Sequence, residues 1–137
     1  QVAFAGAPSS AEVASLLHQH EILVVPSLWE ESFGVVALEG AASGCVVVGS
    51  DGGGLPEAIG PTGITFRRGD PFDLTSKLAD LLRHRQEWQR YRDAARVHLA
   101  RHRPAQIAQR YLEVFARVLS AHHQAKTGIA QTLDLKR

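Results

Sequence analysis

The sequence has no methionine, one cysteine, and no lysine or arginine before Arg67. Each of these absences excludes something. Without methionine, Gln1 is not a natural translation start, and the 137 residues read as part of a longer chain. A lone Cys45 rules out an internal disulfide. Its place ahead of Val46–Val48 predicts a buried small apolar residue in a reducing compartment. No apolar run approaches the roughly 20 residues that span a bilayer. The first residues also lack the cationic region and apolar core of a secretory signal. With no low-complexity tract and no internal repeat, the expectation is a cytoplasmic globular domain or part of one.

The missing cations divide the chain. Residues 1–66 carry seven acids (Glu12, Glu21, Glu30, Glu31, Glu39, Asp51, Glu57) and a charge of −7; residues 67–137 hold all 15 Lys and Arg against seven acids, +8. Solvated, arginine-rich helix faces account for such a split, and no nucleic-acid partner is expected. Arg83-His84-Arg85 and Arg101-His102-Arg103 are candidates for peripheral contact with the inner face of a membrane, although no clean apolar face stands opposite them. His98 and His102 have a helical spacing that suits zinc, but no third ligand is in view, so a solvated basic face is expected and no metal.

In chain order, Val2–Ala5 is a short apolar run ended by Gly6-Ala7-Pro8, which predicts a strand and a turn. Ser9 and Glu12 have capping-box spacing before a helix that ends near His20. Ile22–Val25, Cys45–Gly49 and Gly63–Phe66 are apolar strands of the kind buried on both faces of a parallel sheet. Ser27 and Glu30 repeat the capping spacing and predict a turn of helix. A longer helix should follow from about Phe33, sinking Val35, Val36 and Leu38 into the core. Pro56 and then Asp70-Pro71 open further helices, the latter with Leu74, Leu78, Leu81 and Leu82 as its stripe. Trp88, Tyr91, Ala95 and Leu99 give another stripe at helical spacing, with Trp88 and Tyr91 expected in the core, and Ile107, Tyr111, Val114 and Val118 give a third stripe after Pro104. Residues 1–125 read as one partial domain and 126–137 as a flexible tail.

Alternating strand and helix predicts an α/β, Rossmann-like parallel sheet with helices on both faces, whose ligands sit outside the carboxyl ends of the strands. The turns Gly6-Ala7, Ser27–Gly34 and Asp51–Gly54 all fall at such ends. Amides of Phe33, Gly34 and Val35 at a helix start suit a phosphate. Glu39 stands about 7–8 Å further along that helix, at 1.5 Å per residue. A carboxylate repels a phosphate but accepts two hydroxyls of a sugar ring. Two carboxylates beside one phosphate-binding turn therefore suggest a nucleotide-sugar.

Glu31-Ser-Phe-Gly-Val-Val-Ala-Leu-Glu39, preceded by Pro26-Ser27 and followed by Asp51-Gly-Gly-Gly-Leu-Pro-Glu57, resembles the donor-binding half of retaining GT-B glycosyltransferases, family four (group 1). The resemblance covers Val2 to Leu82. It implies the C-terminal domain of a GT-B fold, with Glu31 near the reacting carbon of the donor sugar. It further implies Ser32, Phe33, Gly34 and Val35 around the sugar and phosphates, Glu39 on the ribose, the Gly6-Ala7 turn beside the base, and Gly53 in a donor-contacting loop. It implies no cofactor and no obligatory metal beyond the nucleotide-sugar substrate. The acceptor, a glycan or lipid-linked sugar, would bind a domain not present in this sequence. Departures from the family pattern are Gly40, where a residue such as Ala is usual, and Cys45, where Pro is frequent. The family's upstream Arg and Lys for the diphosphate have no counterpart before Arg67. The piece alone is therefore expected to be inactive and to self-associate through an exposed sheet edge. The rival readings are a nucleotide-sugar epimerase on the same scaffold and a non-catalytic nucleotide-binding or basic interaction module.

Overall fold

Val46, Val47 and Val48 have no measurable exposure, and the rest of the fold is arranged around them. They lie in β2 (Val46–Ser50), the central strand of a three-stranded parallel sheet with β1 (Ile22–Val25) on one side and β3 (Gly63–Phe66) on the other. The register pairs Ile22 with Val46 and Val47 with Gly63. A computed structural model describes the backbone of residues 2–134 and the side chains of residues 2–122. The chain divides into two compact units, residues 1–99 and 100–137, and the sheet belongs to the first.

Side chains alternate across the sheet, so successive valines serve two cores. Val25 and Val47 face a cluster with Ala37, Ala41, Leu55, Ala58, Ile59 and Ala95. Val46 and Val48 face Phe66, Leu81 and Trp88. Each fully buried valine or leucine stabilises the fold by about 1.5–3 kcal/mol, which is why these runs carry no polar alternation. Helices cover both faces: α1 (Ser10–Gln19), α2 (Val35–Ala42), α3 (Leu55–Ile59), α4 (Pro71–Arg83) and α5 (Trp88–Ala100). The expected α/β parallel architecture is what the chain adopts.

Two of the predicted caps form. Ser9 and Glu12 form a complete capping box on α1, and Asp70 accepts from the amides of Phe72 and Asp73 at the start of α4. Trp88 is core, its indole N–H donating to Leu81 O at 2.8 Å. Cys45 is buried as expected, and its thiol approaches Leu17 O at 3.3 Å and His20 O at 3.2 Å, closing the end of α1. Burial raises its pKa above the ordinary thiol value, against a smaller opposing pull from Arg92.

Three expectations need correction. Residues 2–5 form no strand; Val2 and Phe4 are 81% and 96% exposed, because no neighbouring strand offers them a ladder. Helix α2 buries its small residues Ala37, Gly40 and Ala41, while Val35 is 59% exposed and Val36 and Leu38 are half-buried. Helix and strand come close here, since a Cβ on Gly40 would run into the Leu23 side chain. His98 is not solvated: it is buried, its Nε2 lies 2.8 Å from Ala58 O, and its ring packs on Gly60. In the second unit, α6 runs from Pro104 to Asp134, past Lys126, where the sequence pattern stops. The expected tail at 126–137 falls outside the residues whose side chains are described.

Candidate functional site

The carboxyl ends of β1 and β2 lead into the loops at residues 26–34 and 51–54, and these two loops hold each other. Ser27 is 7% exposed, and its hydroxyl donates to Glu31 Oε1 at 2.7 Å. The turn of helix expected from Ser27 and Glu30 does not form; the segment is bent and irregular. A serine hydroxyl that bonds a nearby side chain is no longer free to cap a helix.

The glycine loop packs on this turn. Gly54 N–H donates to Glu31 O at 2.7 Å. A Cβ on Gly53, whose φ is +58°, would run into the backbone oxygen of Glu31. One on Gly54 would stand 2.5 Å from Ser32 O and 2.8 Å from Phe33 Cα. The close approach that the glycines permit here is between two stretches of protein. Gly34, at the N-cap of α2, has φ +92°, and a Cβ there would meet Leu55 Cδ1 at 2.6 Å. Both its backbone and its surroundings call for glycine. Phe33 packs half-buried on the core beneath. The first turn of α2 carries no acid, so nothing there offsets the partial positive charge of its N-terminus.

Glu39 lies one turn along α2, exposed, on the wall of a cavity of about 360 Å³ that it shares with Pro8, Val13, Ala14, Leu17 and Ser43. Pro8 follows the exposed Gly6-Ala7 turn, where Gly6 has φ +70°. The predicted residues therefore form two groups. Glu31, Ser32 and Phe33 stand with Gly53, while Glu39 stands with the segment after Gly6. Gly34 and Val35 join them at the head of α2.

Two contributors were missed. Ser27 was read as a helix cap, although its separation of four residues from Glu31 was available as a signal. Arg68 lies just beyond β3, yet its side chain reaches back across Gly52 to Glu30 (Nη1 to Oε1, 3.4 Å), and its amide donates to Asp51 Oδ1 at 2.9 Å. A cation does stand at this edge of the sheet, brought there by strand adjacency. Arg85 and Arg92 likewise approach Glu21 at 3.8 and 3.9 Å, so the charge division along the sequence is partly undone in space. Among the described residues, no group of three or more His, Cys, Asp or Glu could hold a metal ion. No described helix is long and apolar enough to cross a membrane.

The family model described as "Glycosyl transferases group 1" matches residues 1–84, more than half of the chain. The chain belongs to this family. Among similar proteins, a D-inositol 3-phosphate glycosyltransferase of Nocardia farcinica is 36% identical over 111 residues, 80% of this chain and 24% of its own length. An MMP alpha-(1->4)-mannosyltransferase of Mycolicibacterium hassiacum is 41% identical over 91 residues, 64% of this chain and 22% of its own. The crystal structure of a glycosyltransferase from Rickettsia africae superposes with a TM-score of 0.64 at 23% identity, covering 76% of this chain and 29% of that one. That likeness shows a shared fold. This group 1 sequence spans about a quarter of the length of the curated relatives.

Proposed function

We propose that this sequence is the donor-binding part of a glycosyltransferase that moves a hexose-type sugar, with retention at the anomeric carbon, from a nucleotide-diphosphate sugar to a glycan or lipid-linked acceptor. The reading rests on one observation: the Glu31 carboxylate is held at the mouth of β1, directly before a glycine-capped helix whose next turn presents Glu39 to a cavity. The family supports it. The relatives' greater length supports an acceptor side supplied by residues outside this sequence, and hence inactivity of this piece alone.

In that reading the ribose hydroxyls bond Glu39, with the base towards the Gly6-Ala7 turn. The sugar and phosphates meet the amides at Phe33, Gly34 and Val35. As the bond from anomeric carbon to phosphate breaks, positive charge grows on the sugar and negative charge on the leaving oxygen. Glu31 stabilises the first and the helix N-terminus the second, both pre-oriented. Glu31 is assigned orientation and electrostatic stabilisation, with no covalent attack. No cofactor takes part in this scheme. The protein acts in the cytoplasm, with membrane contact confined to delivery of a lipid acceptor.

The test is acceptor dependence. The full-length protein is incubated with nucleotide-sugars, with and without glycan acceptors, and products are resolved by anomeric NMR signals. The expected result is product only with acceptor, with the donor's anomeric configuration kept. Donor conversion without acceptor indicates an epimerase, and an inverted product removes the retaining assignment.

A further inference from the structure

The hydrogen bond between Ser27 and Glu31 carries a step beyond this assignment. Ser27 follows Pro26 at the end of β1, and its side chain is almost wholly enclosed. A buried hydroxyl needs a partner, and this one's is the carboxylate four residues on, at 2.7 Å. That length is ordinary for a hydroxyl donating to a carboxylate, a bond about twice as strong as one between neutral groups. The Glu31 backbone is fixed separately, through Gly54 N–H on its carbonyl and by the fit of Gly53 against it. With the main chain held on one side and Oε1 on the other, the remaining rotation of the carboxylate is restricted. Oε2 accepts no hydrogen bond from the described residues.

We propose that Ser27 is a positioning residue: its buried hydroxyl fixes the Glu31 carboxylate in the orientation that presents Oε2 to the donor sugar. The proposal rests on the reading of Glu31 given above. A loosely held carboxylate needs reorganisation as charge develops, whereas one already oriented does not, so the effect falls on turnover more than on donor binding.

Single and double variants of the full-length enzyme test it, with kcat, donor KM and thermal unfolding measured for each. Ser27→Ala is expected to lower kcat about tenfold or more, with donor KM changed less than about threefold. In the Glu31→Ala background the same substitution is expected to cost nothing further, because the group that it positions is gone. Ser27→Thr, which keeps the hydroxyl, restores part of the lost turnover. A purely structural serine predicts instead a lower melting temperature and losses that add in the double variant, and that outcome overturns the proposal. Ser27→Cys, near-isosteric with a weak donor, carries the same test if the alanine variant does not fold. If Glu31→Ala leaves kcat unchanged, the reading of Glu31 has failed. If Glu31→Ala abolishes turnover while Ser27→Ala and Ser27→Cys leave it intact, the positioning role alone has failed.

Discussion

Glu31 shows how much of a site one residue can carry, and how much of its setting comes from elsewhere in the chain. Its spacing from Glu39 was legible because seven residues between two acids is a local fact. The contacts that hold it were only partly legible. Ser27 offered two local partners, Glu30 at capping distance and Glu31 one residue further; the second prevails because the chain bends after Val25 instead of starting a helix. Gly53 and Gly54 were readable as close-approach residues, but what they approach depends on two strand ends lying side by side. Ser50, at the end of β2, offers a residue-scale test: the residue is 1% exposed, and its hydroxyl has no hydrogen-bond partner among the described residues. Removing an unpaired buried hydroxyl relieves a desolvation penalty of about 1–3 kcal/mol, less the packing of one oxygen. Ser50→Ala is expected to leave the melting temperature unchanged or raise it in thermal unfolding. A clear destabilisation contradicts this and points to a partner for the hydroxyl.

Elements with their own punctuation were the easiest to read. In α4 the cap and the proline agree with Leu74, Leu78 and Leu81 of the expected stripe, which pack on the core, while Leu82 is 49% exposed; the helix runs from Pro71 to Arg83. The Asp70 carboxyl is held below its ordinary value of 3.8, first by the Asp73 amide, then by that of Phe72 and by Arg67, against some desolvation. A lowered folded-state pKa means that the unfolded chain takes up the proton more readily. The cap's ionic contribution is therefore complete above pH 3.8 and is lost as pH falls through the lower, folded value. Asp70→Asn keeps an acceptor without the charge. Its melting temperature is expected to lie below wild type at neutral pH and to converge with it as pH falls below the lowered, folded-state pKa; a gap that persists in acid below that value contradicts the cap account. The Val2–Ala5 run illustrates the opposite case. A strand is completed only by its neighbour, so its apolar composition could not by itself make it one.

At the scale of the whole molecule, the parallel sheet and its covering by helices on both faces followed from alternation of element types and from apolar runs. The spatial mixing of the two charge halves through Arg68, Arg85 and Arg92 did not, because ion pairs across the fold leave no local trace. Among the described residues β1 pairs with β2 alone, leaving its other edge without a ladder. The second unit adds Tyr111, Leu112, Phe115, Val118 and Leu119, each more than half exposed along α6. Such surfaces associate. The 137-residue chain is expected to show a mass that rises with concentration in light scattering; a monomer at every concentration contradicts this. The central claim is a nucleotide-sugar held by Glu39 at the wall of the α1–α2 cavity. It is tested most directly by titrating UDP-, GDP- and ADP-sugars into the full-length protein and into its Glu39→Ala variant by calorimetry. The account predicts that one donor series binds and that the variant loses roughly 1.5–3 kcal/mol, the range for a hydrogen bond to a charged group. Unchanged donor affinity in Glu39→Ala, or no nucleotide-sugar binding to the full-length protein, contradicts it.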